Sequence, residues 1–233
     1  MKKGINQWSL PITDDFEAVL RHCADSGIPN IEMCILPADD QLYRNVKVEP
    51  ELQLLFSNIA QAVNAANYKI RLTDSAEELS ALRQSVERAG VRVASVTTLD
   101  LFRYTLTSGD PAVRDAAVSV IKRMVDICSS LGGQIVLIEP GVVTSTVSYR
   151  DAYRNCESSL AEAVRYAEQR GIILALENVW GKFLVSPLEF CALIDGMKSD
   201  AVGAYFDVAN ILAFRPASGL DPAARKEAQE PPF

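Results

Sequence analysis

Short, continuously apolar runs alternate along this chain with longer stretches whose apolar residues recur every three or four positions. That is the pattern of buried strands followed by amphipathic helices. Residues 3–8 (Lys-Gly-Ile-Asn-Gln-Trp) predict a first strand, and Phe16, Val19, Leu20 and Cys23 give one face to a helix over 14–26 closed by Gly27. A second strand is predicted over 30–36. The excursion that follows, over 36–75, carries its own helix from Pro50, with Leu52, Leu55, Phe56, Ile59 and Val63 on one face. Ser75 and Glu78 form a capping box for a helix ending at Gly90, and a third strand covers 91–98. Asp110 and Pro111 open a long helix that turns Val113, Ala117, Val120, Met124 and Cys128 inward and stops at Gly132 and Gly133. A fourth strand is predicted over 134–139. A helix over 151–170 ends at Gly171 and feeds a fifth strand, 172–177; Ser186, Pro187 and Glu189 then open a further capped helix before a sixth strand at 202–207.

Successive strand–helix units with apolar strands imply a parallel α/β sheet, and their spacing predicts a (β/α)8 TIM-barrel-type fold, incomplete, with about six of eight units. An open, doubly wound sheet is the alternative. Its usual mark, a glycine-rich turn after the first strand, is missing, since Gln-Trp-Ser-Leu-Pro stands there. Neither a GxxxxGK[ST] phosphate loop nor a GxSxG nucleophile elbow occurs. Residues 1–213 read as one barrel-like domain and 214–233, interrupted by prolines, as an irregular tail.

The candidate chemistry lies where two apolar runs end in an acid: Glu177 in Ile-Ile-Leu-Ala-Leu-Glu-Asn and Asp207 in Ala-Tyr-Phe-Asp-Val-Ala-Asn. An ionised carboxylate after the last core residue of a buried strand is costly unless a cation sits beside it. In a barrel, functional groups collect at the carboxyl ends of strands and alternate residues point inward. Glu177 with Ala175 and Ile173, and Asp207 with Tyr205 and Gly203, would then meet at one mouth. Trp8, with Asn6 and Gly4 on the same face, is a candidate wall for a small substrate; Trp8 as a core plug is the competing reading. Glu32 falls inside the second strand as a buried acid in want of a partner. Asn210 and Trp180 belong to loops at the mouth. The plainer alternative is that Glu177 and Asp207 cap neighbouring helices. His22 is expected at the surface of the first helix, and Arg103 and Lys122 as solvated cations rather than phosphate ligands. The helix around 50–66 reads equally as a lid over the mouth or as a packing appendage.

Composition narrows the classes. The 233 residues are 48% hydrophobic and 23% charged, enough for one sizeable core. A net charge of -7 and a sequence pI near 4.9 argue against a nucleic-acid partner, which would need clustered Lys and Arg. No apolar stretch reaches the length of about 18 residues needed to span a membrane, and no signal peptide is read at the start, so a cytoplasmic location is expected. Cys23, Cys34, Cys128, Cys156 and Cys191 are odd in number, lack a CxxC pair and read mostly as small core hydrophobes.

On the segments Lys-Gly-Ile-Asn-Gln-Trp-Ser-Leu-Pro, Gly-Ile-Pro-Asn-Ile-Glu (27–32), Leu-Ala-Leu-Glu-Asn (174–178) and Tyr-Phe-Asp-Val-Ala-Asn (205–210), the chain resembles the xylose-isomerase-like TIM-barrel family of sugar and sugar-phosphate isomerases and epimerases, the tagatose 3-epimerase type included. The resemblance covers residues 3 to about 213. It implies that Glu177 is both metal ligand and catalytic base and Asp207 a second ligand; Asn6, Trp8, Glu32 and Asn210 remain the substrate-binding candidates from their places at the strands and loops of the mouth. It also implies a divalent metal ion (Mn, Mg, Co or Zn alike), a sugar or sugar-phosphate ligand, and reaction through an enediolate.

The family pattern continues with two further strands that bring a histidine ligand and a final glutamate. Residues 214–233 hold no apolar run, and the single histidine, His22, is on the first helix. A truncated or frame-shifted end is therefore expected, and with it exposed sheet edges and self-association into a homo-oligomer. A noncatalytic remnant or small-molecule binding protein is the alternative function. A metal-dependent nuclease of apurinic sites, which uses a related barrel, is disfavoured by one histidine and the acidic charge.

Overall fold

Six strands line up in chain order, each parallel to the next: β1 Gly4–Asn6, β2 Asn30–Ile35, β3 Arg92–Thr98, β4 Ile135–Ile138, β5 Ile173–Glu177 and β6 Val202–Tyr205. Helices α1 Phe16–Asp25, α2 Pro50–Ala62, α3 Ala76–Arg88, α4 Pro111–Ser130, α5 Tyr149–Glu168, α6 Pro187–Gly196 and α7 Val208–Ala213 connect and follow them. The computed structural model describes residues 2–10, 15–39, 42–63, 68–179 and 181–213. Trp180 and the expected tail, 214–233, lie outside the described residues.

The register fixes two faces. Val136 and Ile138 of β4 and Leu174 and Leu176 of β5 are fully buried in the core shared with the helices, whereas Leu137 and Ala175, partners in register, are buried but stand outside that core. One face therefore packs on helices, and the other looks into the concave side of the sheet, as in a TIM barrel. The inward helix face expected for α4 is observed: Val113, Ala117, Val120, Met124 and Cys128 are all fully buried. The capping box of α3 is also present, with Ser75 accepting from the Glu78 backbone at 3.2 Å and Glu78 from Ser75 N at 2.7 Å. No helix among the described residues is long and apolar enough to cross a membrane.

The structure corrects four expectations. The first strand stops at Asn6, and Gln7–Ser9 form a 3-10 turn, because the Asn6 side chain accepts from Trp8 N at 2.8 Å and Gln7 turns inward to accept from Cys34 N at 2.8 Å. Trp8 thus leaves the strand face it was expected to share with Asn6, and at 42% exposed it is no core plug. The fifth helix begins at Tyr149 rather than 151, since Ser148 caps it by accepting from Asp151 N. Arg103 is not solvated: it is 3% exposed, bonds the fully buried Asp100 at 2.9 Å and lies 4.3 Å from the centre of the Phe56 ring. Lys122 is one-third exposed and pairs with Glu162 at 2.6 Å. Four of the five cysteines are buried, Cys191 is exposed, and all are free.

The Asp100–Arg103 pair has a structural duty. Asp100 accepts from Ala38 N at 2.8 Å and Arg103 donates to the Ala38 carbonyl, so the segment leaving β2 is tied to the 3-10 turn Leu99–Phe102 after β3. On that turn rests α2. Leu52, Phe56 and Ile59 pack with Leu99, Phe102, Val142 and Val179 in a second apolar cluster over the carboxyl ends of β3, β4 and β5. Just before α2, Glu49 accepts from Thr144 at 2.8 Å and Thr146 at 2.6 Å, and in its first turn Glu51 accepts from the backbone and hydroxyl of Ser145 at 3.0 Å. The helix is fastened as a roof on one side of the mouth.

Candidate active site

At the carboxyl ends of β5 and β6 the backbone is clamped before any acid is considered. Asn178 donates to the Asp207 carbonyl at 2.7 Å and accepts from Asp207 N at 2.7 Å, a reciprocal pair that joins the two strand ends beyond their last ladder bond. Glu177, in register with Tyr205, and Asp207 are thereby brought side by side, their carboxyl groups within hydrogen-bonding reach. Asn210 donates to Glu177 Oε1 at 3.2 Å. Burial first, and the Asp207 charge second, push Glu177 from the ordinary 4.5 up to about 7. Two expected site acids thus meet, and Asn210 joins them. Part of the plainer reading holds too: Asp207 Oδ1 caps α7, accepting from Ala209 N at 2.6 Å and Asn210 N at 3.1 Å.

Asn6 and Glu32 form a layer beneath. Glu32, 6% exposed, accepts from Asn6 Nδ2 at 2.5 Å and Ser95 Oγ at 2.6 Å, and Tyr205 bonds it as well. Burial raises the Glu32 carboxyl and these three donors oppose the rise. Glu32 therefore has the partners a buried acid needs, but they come from inside the sheet. Trp8 stands apart on its 3-10 turn. His22 is exposed on α1, away from the strand ends.

Sequence reasoning passed over Glu139. It follows β4 in Ile-Val-Leu-Ile-Glu-Pro-Gly, the same signal of an acid ending an apolar run that singled out Glu177. Glu139 is 3% exposed, and burial, then the Glu177 charge, push its carboxyl well above the usual range. The bond between Glu32 and the Ser95 hydroxyl was likewise unreadable, because it depends on the register of β2 against β3.

Glu177 and Asp207 are hard oxygen donors held close enough that their mutual repulsion would be relieved by a divalent cation, so the pair suits such an ion. Among the described residues, no three His, Cys, Asp or Glu side chains stand together as a ligand set.

A family model described as "Xylose isomerase-like TIM barrel" matches residues 20–231. The chain is 31% identical over 152 residues to a 2-epi-5-epi-valiolone 7-phosphate 2-epimerase of Actinoplanes sp. (strain ATCC 31044 / CBS 674.73 / SE50/110), a match covering 65% of this chain and 51% of that protein. Among solved structures it is similar to a D-tagatose 3-epimerase-like protein, with a TM-score of 0.65 and 20% identity, covering 91% of this chain and 67% of that one. It is also similar to the IOLI protein with a bound zinc atom, with a TM-score of 0.62 and 16% identity, covering 91% and 65%. The chain spans about half the length of the curated relative it matches.

Proposed function

The chain belongs to the xylose isomerase-like TIM barrel family, and from that premise we propose that it is a divalent-metal-dependent isomerase or epimerase of a ketose sugar or sugar phosphate. The observation that carries this reading is the meeting of Glu177 and Asp207 at the ends of neighbouring strands, with Glu177 poised to gain or lose a proton at about 7. A related protein is named as an epimerase of a valiolone 7-phosphate, another as tagatose 3-epimerase-like, and a third holds zinc. These names support the reaction class.

When bound, a divalent cation (Mn, Mg, Co or Zn) would polarise a substrate carbonyl and favour the enediolate formed by losing the neighbouring proton. Glu177 and Asp207 would hold that ion. Glu177 would take the proton from the carbon beside the carbonyl, the general-base task of a carboxylate held within reach of the reacting carbon. Asn210 would help fix Glu177 by donating to its Oε1 at 3.2 Å. The Asn6–Glu32 layer beneath would form the polar floor on which substrate hydroxyls rest. Five free cysteines agree with a reducing cytoplasm.

The deciding experiment is ketose interconversion by the chain with added manganese, magnesium or cobalt. D-Tagatose, D-fructose, their phosphates and 2-epi-5-epi-valiolone 7-phosphate would serve as substrates. Turnover that requires metal and vanishes in Glu177→Gln is expected; no turnover with any pair defeats the reading. The lack of a three-donor set among the described residues favours a second one, a noncatalytic sugar-binding protein. Calorimetry showing sugar binding indifferent to metal, together with no turnover, would select it.

A further inference from the structure

At the amino ends of the strands, opposite the end that carries Glu177 and Asp207, the local charge reverses. Gly4, Asn30 and Arg92 are partners in register and open β1, β2 and β3, so Lys3 and Arg92 stand on one rim. Asn30 Nδ2 donates to the Lys3 carbonyl at 2.6 Å and fixes the backbone that carries Lys2 and Lys3. β3 then departs from its neighbours. Ile31 pairs with Val93 and Glu32 with Ser95, so Ala94 is bulged out of the ladder, and pairing with β4 begins only at Ser95. A cavity of about 570 Å³ occupies the space this leaves, with Arg92, Val93 and Ala94 on one wall and Leu131, Gly132 and Gln134 on another.

Four cations line that cavity, Lys2, Lys3, Arg83 and Arg92, against one acid, Glu87, in a chain whose net charge is -7. Glu87 is already engaged, accepting from Arg83 Nε at 2.8 Å, and that bond turns no outer guanidinium nitrogen away from the cavity. Arg83 lies close over Gly132, where an added Cβ would stand 3.3 Å from the guanidinium carbon. Among the described residues, no carboxylate is within ion-pair distance of Lys2, Lys3 or Arg92. Like charges gathered around one concavity focus a positive potential that an entering anion would relieve. Behind the cations the wall is apolar, with Val86, Val91, Val93 and Leu131 all buried. We propose that this cavity binds a small phosphate monoester. Arg83 and Arg92, whose planar forks match phosphate oxygens, would hold the dianion with the two lysines, and the organic part would lie on the valine and leucine wall. The volume suits one small molecule rather than a polymer. The site is at the other end of the strands from Glu177 and Asp207, so it does not rest on the metal-dependent reading.

The test titrates phenyl phosphate and inorganic phosphate into the full chain by calorimetry, at low ionic strength and without metal. The chains compared are wild type, Arg83→Gln, Arg92→Gln, the double change Lys2→Gln with Lys3→Gln, and Glu177→Gln. Phenyl phosphate should bind more tightly than inorganic phosphate, and each arginine variant should weaken it about tenfold or more, the loss of one charge-assisted bond. Binding should fade as salt is raised and should be unchanged in Glu177→Gln. No uptake of phenyl phosphate overturns the inference, and so does equal affinity for the two probes, which would make the cavity a site for bare anions. Binding that survives in both arginine variants, or that is lost only in Glu177→Gln, places the anion elsewhere and also overturns it. Should an arginine variant fail to fold, the change at the exposed Lys2 and Lys3 decides, since unaltered affinity there is equally fatal. Failure of the metal-dependent reading would show in the turnover assays and leave these titrations untouched.

Discussion

Glu177 sits where its ionised form is penalised by burial and by a neighbouring carboxylate, so its effect on stability has a definite sign. With a folded value of about 7 against an ordinary 4.5, the folded state holds the proton more tightly, and stability is greatest below about 4.5 and is lost as pH rises through 7. The difference in unfolding temperature between wild type and Glu177→Gln, measured without metal from pH 4 to 8, should therefore move against wild type across that window. Metal should bind with release of a proton, and its calorimetric affinity should increase as pH rises past 7. The two candidate acids were legible in the sequence because each closes an apolar run with an ionisable group that is costly to bury. Asn210 was legible only as a loop residue, since its bond to Glu177 needs α7 to start at Val208, and that start is set by the Asp207 cap rather than by any periodicity.

Elements were legible where burial is one-sided and caps are local. The helix from Pro111 and the capping box at Ser75 depend on neighbours within four residues, and both stand as read. Ser75→Ala should cost about 1 kcal/mol in a denaturant titration. Where a side chain from another strand intervened, reading failed: Gln7 replaces a ladder partner for Cys34, and the first strand ends early. Arg103 was misread for the same reason, because Asp100 and Phe56 reach it from different parts of the chain. Arg103→Leu leaves Asp100 buried and uncompensated. It should destabilise by about 3–5 kcal/mol, whereas the double change Arg103→Leu with Asp100→Leu should recover much of the loss. The roof of α2 depends on carboxylate–hydroxyl bonds at Glu49 and Glu51 as well as on apolar packing. Glu49→Ala with Glu51→Ala should speed amide exchange over 50–62 while the exchange of α4 stays unchanged.

At the scale of the molecule, β1 and β6 are the borders of the described sheet, and beside β6 an apolar groove of about 400 Å³ runs between Val185, Pro187, Phe190, Ala204 and Phe206. Phe206 is 64% and Leu188 83% exposed. Such a surface is expected to drive copies together, so light scattering at micromolar concentration should report a mass above that of one chain, reduced by Phe206→Ser. The clamp between Asn178 and the Asp207 backbone gives this border strand a further dependence. It forces two negative groups to share close quarters, and among the described residues β6 is gripped on one flank, by β5. An ion that quiets their quarrel would act as a rivet for the outermost strand, so the site's occupancy and the integrity of the sheet's margin should rise and fall together.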